Sequence, residues 1–92
     1  MKEMEEVPEV FGYDEIEVYP NPTFGVFHLF IPAETRSKTA TYELFDTSGL
    51  LMLGSQLYAD ETEIDIGDLP AGVYVLKIIN GDDVLSKMIL KY

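Results

Sequence analysis

The sequence contains no cysteine, which excludes disulfide bonds, thiolate metal ligands and cysteine nucleophiles. It also lacks tryptophan and has one histidine, His28, on which any Ser-His-Asp set would depend. Basic residues are few, since six Lys and Arg stand against 17 Asp and Glu to give a formal net charge of -11. Nucleic-acid binding needs clustered positive charge, so we do not expect a nucleic-acid partner.

Long apolar runs are absent as well. No stretch approaches the roughly 18 consecutive apolar residues of a membrane-spanning helix, so an integral membrane protein is not expected. The N-terminal segment Met1–Glu6 has neither the basic nor the apolar region of a secretory signal peptide. Residues 1–14 are acidic and irregular, and we interpret them as a linker or arm that precedes a domain of residues 15–92.

The chain does contain short strand-forming stretches separated by turn residues. Ile64 and Ile66 alternate with acidic residues, as expected of a half-buried strand, and Asn80-Gly81 is a strong hairpin signal. Such stretches recur about every ten residues and show no helical periodicity. They predict an all-β fold, an antiparallel β-sandwich of about seven short strands, at residues 16–19, 24–31, 39–45, 50–57, 61–66, 73–79 and 84–91.

One segment suggests an enzyme. Asp46-Thr47-Ser48-Gly49 is similar to the Asp-Thr-Gly loop of aspartic proteases, in which two carboxylates share a proton. The residue after the threonine should be glycine, and here it is Ser48. The same four residue types are typical of a hairpin turn, which is the structure we predict.

The acidic residues could bind calcium, yet the pattern favours a solvated surface. Calcium needs six to eight converging oxygens, whereas alternate residues of a strand project in parallel. We therefore predict no metal site, no cofactor and no catalytic residue, with His28 structural or partly exposed. The candidate ligands considered were Glu61, Glu63, Asp65, Asp68, Asp82 and Asp83.

Two local features remain. Pro20 and Pro22 remove amide donors from one side of the chain, so that side cannot pair in a sheet and the segment forms a rigid exit from an edge strand. Lys87 and Lys91 are expected on one face of the last strand, roughly 13 Å apart. They are local exceptions in an acidic chain, although lysines also simply keep edge strands soluble.

The order of four segments is more specific than any of them. Val18–Gly25, Tyr42–Gly49, Ile66–Ile78 and Ser86–Lys91 together resemble the C-terminal sorting domains of proteins exported by the type IX (Por) secretion system of Bacteroidetes. The resemblance covers about residues 16–92. Phe24 and Leu50 depart from the family pattern, which usually has a small polar residue and a basic residue at these two positions.

The resemblance implies an immunoglobulin-like sandwich at the end of a larger cargo protein with its own Sec signal. Such domains pass through the periplasm, are recognised by the type IX translocon and carry the cargo to the cell surface or the medium. A sortase-like peptidase then typically removes the domain, with cleavage expected in or upstream of residues 1–14. The motif positions that carry over are Pro20, Asn21, Pro22, Gly25, Gly49, Gly72, Tyr74, Lys87 and Lys91.

Recognition is expected at the terminal hairpin, Gly72–Tyr92, by addition of a strand to an exposed edge, with Lys87 and Lys91 supplying charge specificity. An unpaired strand edge could also pair with the same edge of a second copy, so dimerisation through this edge is a further possibility. The alternative function is an immunoglobulin-like accessory or adhesive module that binds carbohydrate or matrix and has no role in export.

Overall fold

The computed structural model describes residues 15–92, so the predicted acidic arm lies outside the described residues. Residues 15–92 contain no helix with the length and apolar character to span a membrane. The seven strands of this described part are β1 (Glu17–Tyr19), β2 (Val26–Phe30), β3 (Thr41–Asp46), β4 (Leu51–Gln56), β5 (Glu61–Asp65), β6 (Gly72–Asn80) and β7 (Asp83–Lys91).

The strands form two sheets with entirely antiparallel pairing between neighbours. One sheet has the order β1-β2-β5 and the other the order β4-β3-β6-β7. The first, second and fifth strands thus face the third, sixth and seventh, as in immunoglobulin-like domains, with the fourth beside the third. The structure confirms the predicted all-β sandwich.

The core lies between the sheets because inward residues alternate with outward ones along each strand. Phe27 and Leu29 of β2 and Leu44 of β3 are fully buried. Burial of one such side chain contributes about 1.5–3 kcal/mol of transfer free energy. Within residues 15–92, the buried apolar residues are Ile16, Phe27, Leu29, Ile31, Ala40, Tyr42, Leu44, Leu57, Ile64, Ile66, Tyr74, Leu76, Ile78 and Ile89.

The second strand begins later than predicted. Phe24 was expected inside it, but β2 starts at Val26 and the Phe24 side chain is 83% exposed. The cause is the preceding backbone, since Thr23 N donates a hydrogen bond to Leu90 O of β7 at 2.9 Å, so the chain at Thr23 pairs with the opposite sheet. The hydrogen bond of 2.7 Å from Ile66 N to the Gly25 carbonyl continues the register of β2 with β5, so pairing with β5 begins only at Gly25.

A tyrosine fixes the entry to β6. Tyr74 is buried, and its hydroxyl donates a hydrogen bond to the Pro70 carbonyl four residues upstream. This is the tyrosine corner of immunoglobulin-like sandwiches, which ties the start of the sixth strand to the preceding loop. Gly72 lies between them with φ +147°, in the region that favours glycine. The Leu-Pro-x-Gly-x-Tyr pattern thus has a structural explanation.

Tyr74→Phe should lower the free energy of unfolding by about 1–2 kcal/mol, because the Pro70 carbonyl loses its donor in a partly buried place. Tyr58→Phe is the matched control, since Tyr58 is 76% exposed and its hydroxyl bonds only to Gln56. Urea denaturation measures the free energy of unfolding of both variants. Equal losses in the two would contradict a structural role for the corner.

Candidate functional site

The Pro-Asn-Pro segment links β1 to β2 of the three-stranded sheet and contacts the four-stranded sheet on the way. After β1 ends at Tyr19, Thr23 forms a parallel bridge with Lys91 of β7. Thr23 N donates to Leu90 O at 2.9 Å, and Tyr92 N donates to Thr23 O at 3.0 Å. Because of these bonds, the link between β1 and β2 also pairs with the last strand of the opposite sheet.

The Asn21 carboxamide continues this pairing with its side chain. Its Oδ1 accepts from Leu90 N at 3.0 Å, and its Nδ2 donates to Met88 O at 2.7 Å. An amide group can imitate a peptide unit because it has one acceptor and two donors. The bonds to β7 come from Asn21 and Thr23, which alternate with Pro20 and Pro22 along the chain. The two prolines lack backbone amides, but no bond to β7 is lost because neither proline lies at a bonding position.

Thr23 is a structural residue that the sequence analysis did not single out. Its exposed fraction is 1%, and among residues 15–92 it is the one buried residue that is polar. Its Oγ1 accepts from Gly25 N at 3.0 Å and donates to Val26 O at 2.6 Å. Its position directly after Pro22, where the chain must turn back into β2, is the signal that could have identified it.

The two lysines share a face of β7, as predicted, but have different surroundings. Lys91 Nζ donates to Leu69 O at 2.7 Å and lies 3.4 Å from Gly67 O, so it fixes the link between β5 and β6. Lys87 lies opposite Leu76. Among the described residues, Arg36 forms an ion pair with Asp60 and His28 Nδ1 lies 3.1 Å from Glu61 Oε2, and neither contact includes Lys87.

The glycines of the motifs lie at close approaches and turns. An added Cβ at Gly25 would come within 3.2 Å of Gly67 Cα, so the two links pack backbone to backbone. Gly49 has φ +92° in the turn after β3. Gly72 opens β6 directly opposite Lys91.

The tertiary structure therefore brings most of the predicted positions to one end of the sandwich. Thr23 and Gly72 both pair with Lys91, which also contacts the Gly67 carbonyl beside Gly25. Asp46, which begins the turn containing Gly49, lies opposite Tyr74. Lys87 stands apart, since it lies four residues before Lys91 along β7.

A family model described as "Secretion system C-terminal sorting domain" matches residues 17–91. The chain belongs to this family. No protein of curated function matches it. The match confirms the resemblance to type IX (Por) sorting domains of Bacteroidetes, which export proteins across the outer membrane. Export to the cell surface or secretion follows for the protein that carries this domain.

In the sorting domain the Asp46 carboxylate is used within its own turn. Its Oδ1 accepts from Ser48 N at 2.9 Å, from Ser48 Oγ at 2.7 Å and from Leu50 N at 2.9 Å. These bonds, the Ser48 hydroxyl foremost, lower the pKa of Asp46 below its ordinary value of 3.8. The predicted turn is confirmed, and the loop offers no support for the aspartic-protease alternative.

The outer faces of the two sheets differ in charge. The three-stranded sheet exposes Glu61, Glu63 and Asp65, as predicted, and no group of three metal-binding side chains is found within residues 15–92. His28 is half-buried on this face, with its Nδ1 3.1 Å from Glu61 Oε2. Tyr19, whose ring stacks on His28, has its pKa raised by desolvation and by Glu61.

The four-stranded sheet instead exposes apolar side chains. Phe45, Val75 and Met88 lie side by side in the register, so they share one face. Glu43 and Lys77 are directly opposite each other on that face, and their opposite charges balance.

Two exposed aromatic rings lie together at the end of this apolar face. The ring centroids of Phe24 and Tyr92 are 4.7 Å apart. In the sequence, apolar residues at consecutive positions 88–90 of β7 signal this apolar face.

A pH titration tests the Asp46 turn. Because the folded pKa is below the unfolded value, Asp46 contributes stability that is fully present above the unfolded pKa and lost as pH falls through the folded pKa. The stability advantage of the wild type over Asp46→Asn should therefore shrink as the solution is acidified below about pH 4. NMR titration of the Asp46 carboxyl should give a midpoint below 3.8, and a midpoint at or above it would contradict this account.

Asn21→Ala should lower the free energy of unfolding by about 1 kcal/mol, since two hydrogen bonds to the outer edge of β7 are lost. Hydrogen exchange should accelerate at the Leu90 amide in particular. Asn21→Asp is the informative companion variant, because it keeps the acceptor for Leu90 N but sets a carboxylate against the Met88 carbonyl. Unchanged exchange at Leu90 in the alanine variant would refute the pairing.

Proposed function

We propose that residues 15–92 are the C-terminal sorting signal of a larger cargo protein, which the type IX translocon carries from the periplasm through the outer membrane. The observation that supports this most directly is the family match over residues 17–91. The domain supplies a folded surface to be recognised, and we assign it no catalytic residue, metal or cofactor.

We further propose that the signal resides in the β6–β7 hairpin. Its two nine-residue strands pair at nine successive positions, from Gly72 with Lys91 to Asn80 with Asp83. β7 is an edge strand, so one side of it faces outward. An outward strand edge can bind an extended segment of another protein through main-chain hydrogen bonds.

Removal of the sorting domain by a sortase-like peptidase is the second part of the proposal. The peptidase needs an exposed, extended substrate, whereas residues 17–91 lie in a hydrogen-bonded sandwich. Cleavage is therefore expected in or upstream of residues 1–14. The mass of the released cargo would locate the bond.

The structure changes how the signal should be tested. Deleting the last few residues would remove Ile89, which is fully buried, and Lys91 with its two carbonyl contacts. Such a truncation should unfold the domain, since removing a buried Ile side chain alone costs about 2–5 kcal/mol. Loss of export on truncation would therefore not separate recognition from folding.

The export test uses the full 92 residues fused to the C-terminus of a reporter with a Sec signal, expressed in a bacterium with a type IX system. We expect the reporter at the surface or in the medium, measured by protease accessibility of whole cells. The same fusion in a strain without the translocon, and the reporter without the domain, should stay in the periplasm. Display in either control would overturn the proposal.

An adhesive module remains the second candidate, and one observation favours it. Tyr92 is 59% exposed and lies against the exposed ring of Phe24, so two aromatic faces stand together at one end of the domain. Tyr19 and Tyr58 are exposed too, but neither ring stacks on this pair. Strong glycan-array binding that Phe24→Ala abolishes, with export unaffected by the domain, would favour this function.

A further inference from the structure

The two sheets present four edge strands, and two of these are protected. β1 is three residues long and is followed directly by Pro20. β5 carries Glu61, Glu63 and Asp65, whose charges oppose pairing with another strand. The remaining edges are β4 and β7, both in the four-stranded sheet.

Half of the β7 edge is already occupied. The carbonyl of Met88, both polar groups of the Leu90 backbone and the amide of Tyr92 bond to Asn21 or Thr23. Because backbone polar groups alternate along a strand, Val84 and Ser86 also direct their amides and carbonyls outward. No described residue pairs with them there, so the open half of the edge is Val84–Met88, which at Met88 includes the amide but not the carbonyl.

The side chains along this open half alternate in character. Val84 and Met88 are 53% and 69% exposed on the outer face, where Ile79 and Val75 are their cross-strand neighbours. Lys87 lies between them on the other face and pairs with no described carboxylate. A strand added here would meet apolar side chains on one face and a positive charge on the other.

β4 is a poorer acceptor of another strand. The register between β3 and β4 shifts after Leu44, so that Met52 is an extra residue in the ladder. A bulge of this kind bends an edge strand and blunts it for pairing. β4 also has no charged residue between Leu51 and Gln56, so it could not select a partner by charge.

We propose that a protein component of the export machinery adds a β-strand to the open half of β7, at Val84–Met88. Its strand has apolar side chains opposite Val84 and Met88 and an acidic side chain opposite Lys87. The acidic side chain is expected because it complements the charge of Lys87. The apolar side chains are expected because they would extend the apolar outer face across Val84 and Met88. The inference rests on the proposed sorting function. Lys91, held by two carbonyls, positions the end of β7, whereas Lys87 contacts the partner.

The probe is a synthetic peptide, acetyl-Thr-Val-Glu-Thr-Ile-Val-Thr-amide, and its counterpart with Lys in place of Glu. NMR spectra of the labelled 92-residue chain should show amide shifts at Val84–Met88. The Glu peptide should bind the wild type about threefold to fivefold more tightly than the Lys peptide, as an exposed ion pair allows. Lys87→Glu should reverse this preference. Lys38→Glu, with the same change in net charge at an exposed loop, should not.

Two edge-blocking variants locate the contact. Ser86→Pro removes an outward amide of β7, and Gln56→Pro removes one of β4, since Leu57 N is the inward amide bonded to Ala40 O. The first should abolish peptide binding and the second should not. Peptide shifts at Leu51–Gln56, no binding at all, or no reversal with Lys87→Glu would overturn the inference. A dimer in solution that Ser86→Pro dissociates would also overturn it, because a second copy would then occupy the edge.

Export of the reporter fusion distinguishes failure of strand addition from failure of the proposed sorting function. Lys87→Glu should reduce surface display at least severalfold with an unchanged melting temperature, while Lys38→Glu displays normally. If the wild-type fusion is not exported by the translocon, the sorting function itself fails. If it is exported and both Lys87→Glu and Ser86→Pro fold and are displayed normally, the function stands and strand addition fails.

Discussion

The pairing of the Pro20–Thr23 segment with β7 is the constraint on which the rest of the structure depends. One asparagine side chain and one threonine backbone join the first link of the chain to its last strand, 67 to 69 residues later in sequence. This contact connects the edges of two sheets that otherwise meet through apolar packing. It also settles how much of β7 is left to face outward, and hence where another protein chain could add.

The motif residues of this chain fall into two groups by the contacts that they make. The tyrosine corner at Tyr74, the turn at Asp46 and the carbonyl contacts of Lys91 all stabilise one end of the sandwich. Lys87 has no such structural contact among the described residues. A signal sequence that must also fold cannot use every recurrent residue for recognition, because a domain of this size has only a few kcal/mol of stability to spare.

The outer faces of the two sheets differ in charge, and this difference also favours the β7 side of the domain as the surface open to a partner. The acidic side chains of β5 cover the outer face of the three-stranded sheet, while the four-stranded sheet exposes an apolar face in which Glu43 and Lys77 are opposed. An acidic surface keeps an exported domain soluble and discourages strand pairing at that side. The apolar face and the open edge of β7 then lie together on the opposite side.

The sequence by itself determined the strands, their inward faces and the family. These depend on local alternation, as in Ile64 and Ile66, on turn residues such as Asn80-Gly81, and on the order of the motifs, all of which are visible along the chain. Only the tertiary structure decided which lysine is held and which half of β7 is open. Both depend on contacts between residues far apart in sequence, such as Asn21 with Leu90 and Lys91 with Leu69, and no local pattern encodes them.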